Sequence, residues 1–113
     1  MRKSSLILVL LAVSALPAFA ATESFHDVSV VDSKCAAKVA SNPDEHTRAC
    51  ALACSSSGFV VVTPEKKILK LDAAGNAALS QELKASQKKD HLRADVTGDV
   101  EDDTLKVKSI KLL

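Results

Sequence analysis

Five short runs of β-branched and aliphatic residues punctuate this chain, and their order leaves few architectures open. Phe25 to Asp32 (FHDVSVVD) reads as a first strand with Val28 and Val30 on one face. Phe59 to Thr63 is a continuous apolar run, the pattern of a fully buried strand. After a Pro64-Glu65-Lys66 turn, Lys67 to Asp72 returns as a third strand. Ala73-Ala74-Gly75-Asn76 breaks the pattern, and Ala77 to Ser86 reads as a short helix with Leu79 and Leu83 on one side. Leu92, Ala94 and Val96 alternate with polar residues in a fourth strand. Glu101-Asp102-Asp103 then turns the chain into a fifth, where Leu105 and Val107 alternate. The apolar phase slips to Ile110 and Leu112, which predicts a bulge near Lys108-Ser109. With the segment between the first two strands set aside as an insertion, the order is three strands, one helix and two strands. That is the order of the five-stranded Greek-key barrel called the OB-fold. The expectation is a mainly β, α+β chain: an OB-like barrel with a cysteine-bearing helical insertion after strand one. An irregular α+β sandwich of the same elements is the alternative.

The first twenty residues read as an address. Arg2 and Lys3 form a positive start, Leu6 to Leu16 an apolar run, and Ala18-Phe19-Ala20 a small-x-small cleavage site. That run is too short to cross a bilayer core of about 30 Å as a helix. The expectation is a signal peptide at 1–20 and one small domain at 21–113, in the periplasm or secreted, with no membrane attachment after cleavage. Losing Arg2 and Lys3 from 15 basic residues against 14 acidic ones takes the formal charge from +1 to −1. A chain so balanced has no electrostatic reason to bind DNA or RNA. Phe25 and Phe59 are the only aromatics left to stack a base, so no nucleic-acid partner is expected. The acidic turn around Asp99 to Asp103 lacks EF-hand spacing and reads as a solvated hairpin tip.

Chemistry concentrates in the insertion. Asn42 or Ser41 can cap a helix, Pro43 suits its first turn, and Asp44 and Glu45 suit its positive end. A single helix from there to Cys54 would stack His46, Cys50 and Cys54 on one stripe, with Cys35 upstream. Two outcomes follow from the residue types. In an oxidising compartment the default is a disulfide, and three cysteines allow one with a thiol left over. Cys50 and Cys54 on a regular helix stand about 5–6 Å apart at Cβ, too far for a bridge. Cys35 is therefore paired with Cys50 or Cys54. The odd thiol offers a route to a dimer. Alternatively, Cys35, His46, Cys50 and Cys54 form a Cys3His set able to hold Zn or Cu, although no short-loop C-x-x-C knuckle is present. No other cofactor is expected. A thiol-redox role for Cys50 or Cys54 with His46 as base comes third, because C-x-x-x-C is not the redox spacing and neither cysteine begins the helix.

The run Val31-Asp32-Ser33-Lys34-Cys35, followed by His46, Cys50-x-x-x-Cys54, Gly58 and a closing hairpin, resembles a group of small exported bacterial proteins with OB-fold-like barrels. Members of that group often carry glycine where this chain has Val28, and His-x-x-Cys where it has His46-x-x-x-Cys50. The resemblance implies the barrel and an exported location, and it brings no activity with it. Residues and resemblance together predict a non-enzymatic exported binding or structural module with a Cys/His cluster. A plain interaction barrel is the remaining alternative.

Overall fold

The computed structural model describes residues 21–113, so the expected leader at 1–20 lies outside the described residues. The elements are β1 (Thr22–Asp32), α1 (Ala36–Val39), α2 (Arg48–Ala53), β2 (Phe59–Val62), β3 (Ile68–Leu71), α3 (Ala73–Ala85), β4 (Arg93–Glu101) and β5 (Thr104–Leu112). Single 3-10 turns at Pro43–Glu45 and Ser55–Ser57 flank α2. The strands close into a barrel in the order β1-β2-β3-β5-β4, with β4 pairing back onto β1. All pairs are antiparallel except β3 with β5, which run parallel over Lys70↔Thr104 and Leu71↔Leu105. The chain is thus a closed, mixed, five-stranded barrel consistent with an OB-like fold, and no helix among the described residues is long and apolar enough to cross a membrane.

The inside of the barrel follows from strand parity. Val28 and Val30 of β1, Phe59 and Val61 of β2, Leu69 and Leu71 of β3, and Ala94 and Val96 of β4 all bury their side chains in one core. Leu79 and Leu83 of α3 lie one helical turn apart and are fully buried in that core, as their spacing predicts. The opposite face of β2, and that of β1 at Val31, is also apolar and buried. Val31, Val60 and Val62 form a second, smaller core with Ala36 and Val39 of α1. This explains why β2 reads as apolar without interruption: one face fills the barrel and the other receives the insertion.

Helix α3 begins four residues earlier than the sequence suggests. Asp72 caps it by accepting from the Gly75 amide at 2.9 Å, and the same carboxylate oxygen accepts from Val107 N–H at 3.3 Å. Gly75 sits where a Cβ would come within 2.5 Å of Val107 Cγ2. Asn76 ties strands together, accepting from Phe59 N–H at 2.8 Å while its amide donates to the Leu71 carbonyl at 3.3 Å. The Gly75-Asn76 pair looks like a helix breaker, yet it is where the helix locks onto the barrel.

The bulge expected near Lys108 is present. Thr97 pairs with Ser109 and Gly98 with Val107, so Lys108 is the extra residue on β5. A second irregularity lies in β1 between Phe25 and Val28, where Asp27 takes a positive φ of 53°. Gly98 faces the first bulge so closely that an added Cβ would stand 2.2 Å from the Lys106 carbonyl oxygen. Backbone cannot yield as a flexible side chain can. Gly98→Ala should therefore destabilise the fold by about 1–3 kcal/mol, read as a lower urea midpoint with circular dichroism.

Candidate functional site

The insertion is not one helix. His46 and Thr47 are both extended, at ψ 127° and 155°, and they separate the Pro43–Glu45 turn from α2. Thr47 starts a new helix by accepting from the Cys50 amide at 3.2 Å, a cap that ends any continuous stripe through His46. Cys54 stands at the far end of α2 as its C-cap. The predicted alignment of His46, Cys50 and Cys54 on one helix is thus corrected, because the local preference of Thr47 for capping outweighs propagation across it.

Freed from the helix, His46 turns toward β1. Its Nε2 lies 2.5 Å from Asp32 Oδ1, and both residues are buried. The other carboxylate oxygen, Asp32 Oδ2, accepts from the Cys35 amide at 3.0 Å. A buried carboxylate costs several kcal/mol unless its lone pairs are met, so the end of β1 and the insertion are bound together at this point. Asp32 is the residue that sequence reading missed. The available signal was a carboxylate at the same strand parity as Val28 and Val30, three residues before Cys35.

The four sequence-predicted residues are only partly assembled. Cys35 and Cys54 are half-buried, Cys50 is exposed, and none of the three is bridged in the structure. Burial pushes the Cys35 thiol above its ordinary value, and the Asp32 carboxylate and the charge of Cys54 act in the same direction. Of the two downstream cysteines, Cys54 is the one tied to this end of the insertion, since Ser57 Oγ accepts from Lys34 N–H at 3.3 Å and donates to the Cys54 carbonyl at 2.8 Å. Among the described residues, no three His, Cys, Asp or Glu side chains converge as metal ligands. The Cys3His set for Zn or Cu is thus not assembled among the described residues: His46 has left the α2 helix that carries Cys50, and Cys50 is exposed.

A second latch lies on the other side of the insertion. Arg93 at the start of β4 grips Asp44 in a fork, Nε to Oδ1 at 3.0 Å and Nη2 to Oδ2 at 2.7 Å. The backbone adds His91 N–H to the Asp44 carbonyl at 3.0 Å and Arg48 N–H to the Lys89 carbonyl at 2.8 Å. The insertion is thereby fixed at both margins, to β1 by Asp32 and to the α3–β4 connection by Asp44 and Arg48.

Two outcomes test these latches. His46→Ala strips a buried acceptor of its partner and should cost about 1–3 kcal/mol. Adding Asp32→Asn should recover part of that loss, measured as a double-mutant cycle of urea midpoints. The hydrogen bonds from Arg93 hold the Asp44 carboxyl below its usual range, and that from Thr22 does the same for Asp99. A carboxyl depressed in the folded state adds stability that is complete above its unfolded value of about 3.9 and is lost as pH falls through the lower folded value. Midpoints should fall steeply only below about pH 4, and Asp44→Asn should flatten part of that fall. Comparison with protein-family models, with curated proteins and with solved structures finds no match to this chain.

Proposed function

We propose that this chain is an exported, non-enzymatic binding module whose insertion is tied to the barrel by a disulfide between Cys35 and Cys54. The observation that carries the reading is geometric: Ser57 Oγ accepts from Lys34 N–H at 3.3 Å and donates to the Cys54 carbonyl at 2.8 Å, which holds the end of α2 against the chain entering Cys35, and both cysteines are half-buried. Export is supported by the charged start, apolar run and Ala18-Phe19-Ala20 site of residues 1–20. Exported chains meet an oxidising compartment, where two such thiols pass two electrons and two protons to a small-molecule or protein disulfide, itself reduced to two thiols. The resulting loop of about 20 residues contributes roughly 3 kcal/mol in the chain-entropy picture. For a small domain that is a large share of the total.

Cys50 is then the odd thiol, exposed on α2. It offers a second copy of the chain a disulfide partner, which is the dimer that an unpaired exported cysteine suggests. A nucleophilic role is the weaker reading for Cys35, whose raised pKa keeps it protonated near neutral pH.

Peptide mapping of the oxidised protein without reductant should recover residues 35 and 54 in one linked pair, and intact mass should be two hydrogens lighter than after reduction. Cys54→Ala should lower the urea midpoint of the oxidised protein to that of the reduced one, whereas Cys50→Ala should leave the bridge intact and remove any dimer seen on a non-reducing gel. Linkage of Cys35 to Cys50 instead, or three titratable thiols after oxidation by glutathione disulfide, would sink the proposal.

A further inference from the structure

Near Val31 the outer face of the barrel is covered by α1, but toward the start of β1 the cover lifts. There a polar cleft of about 310 Å³ opens between the barrel and the loop at Ser41–Asp44. Its floor is one rung of the sheet: Ser29 of β1 pairs with Val62 of β2 on one side and with Arg93 of β4 on the other. Paired residues point to the same face, so all three present their side chains to the cleft they line. Ser29 is only 6% exposed and lines this cleft. Its hydroxyl has no hydrogen-bond partner among the described residues, and no fully sealed side-chain polar atom there is left unpaired. The Ser29 oxygen is thus not sealed off, and in the cleft it lines a ligand can meet it.

The charges around it cancel. Asp27 and Asp44 are both engaged by Arg93, at 3.3 Å and 2.7 Å, and Lys66 supplies a second cation from the opposite lip. Each carboxylate oxygen gripped by Arg93 keeps a free lone pair. Ser29, Ser41 and Asn42 add groups that both donate and accept. Pro43, Pro64 and Val62 supply apolar patches between them. A site whose two carboxylates are matched by two cations, with hydroxyl and amide groups and aliphatic surface among them, does not select an ion. It matches a ligand whose own groups donate and accept in turn along a ring with an apolar C–H face. The volume is at the small end of the range for ligand pockets. Asp27 and Lys66 both hold positive φ, 53° and 67°, so the two lips are set by backbone conformations that are uncommon outside glycine.

We propose that this cleft binds a small neutral polyhydroxylated ligand of the saccharide class, with the buried Ser29 hydroxyl at its floor. The proposal rests on the reading of the chain as a binding module and deepens it by naming the ligand chemistry. It does not depend on the disulfide, whose pairing is read separately by peptide mapping.

The test is a titration of the protein, followed by 15N–1H NMR, with glucose and N-acetylglucosamine as neutral probes and with glucuronate and glucosamine as their charged counterparts. Saturable shifts from at least one neutral probe should be confined to the amides of Ser29, Asn42, Asp44, Lys66 and Arg93. The charged counterparts should bind at least tenfold more weakly. Ser29→Ala and Asn42→Ala should each weaken binding about tenfold with spectra otherwise unchanged, so that loss of fold is distinguished from loss of the site. No saturable shift from either neutral probe into the millimolar range would overturn the proposal. So would tighter binding of glucuronate or glucosamine, which would reassign the cleft to an anion or a cation. Shifts that survive Ser29→Ala unchanged would likewise overturn it.

Discussion

Strand β2 and the end of β1 carry apolar side chains on both faces, and the rest of the molecule is arranged around that demand. A small barrel normally fills its interior and leaves its outer surface to water. Here Val31, Val60 and Val62 put a second apolar surface on the outside, and α1 must lie over it. The insertion between β1 and β2 is therefore as much a part of the folded unit as the strands. Its short helices contain too few residues to be stable alone, so they hold their shape through what they cover and through the two latches at their margins.

Those latches differ in kind. The Asp32–His46 contact is buried and local to the end of β1, whereas Arg93–Asp44 is half-exposed and reaches across to β4. Water screens the second and hardly reaches the first. The buried latch thus fixes where the thiols sit, and the wetter one fixes the wall of the cleft. The two regions of chemical interest are set independently by the same short insertion.

The barrel was legible in the sequence because its signal is repeated: parity recurs in every strand, and even the Lys108 bulge showed itself as a slip in that parity. The insertion was less legible because its outcome turned on single residues. Thr47 carries a cap that competes with helix continuation, and nothing in periodicity weighs the two. Gly75 and Asn76 look like breakers because their intrinsic preferences are poor, yet Val107 and Phe59 decide their role from far along the chain. Asp32 reads as the end of a strand until its partner, fourteen residues away, is brought to it by the fold. The cleft was invisible for the same reason, since Ser29, Lys66 and Asp44 meet only once three strands and a loop are in place.

The seams of the cylinder differ in length, and that between β3 and β5 is the shortest. Strands β4 and β5 pair along eight positions, but β3 meets β5 at only two, reinforced by Lys70 N–H to the Asp103 carbonyl and Asp72 N–H to the Leu105 carbonyl. Opening there breaks few bonds and turns a closed wall into a curled sheet with two free borders, leaving the long β1–β4–β5 ribbon whole. Amide protons at Lys70 and Asp72 should accordingly exchange with solvent sooner than those of the ribbon's interior. A transient border of that sort is where an extended segment of another chain would find room to add itself as a sixth strand.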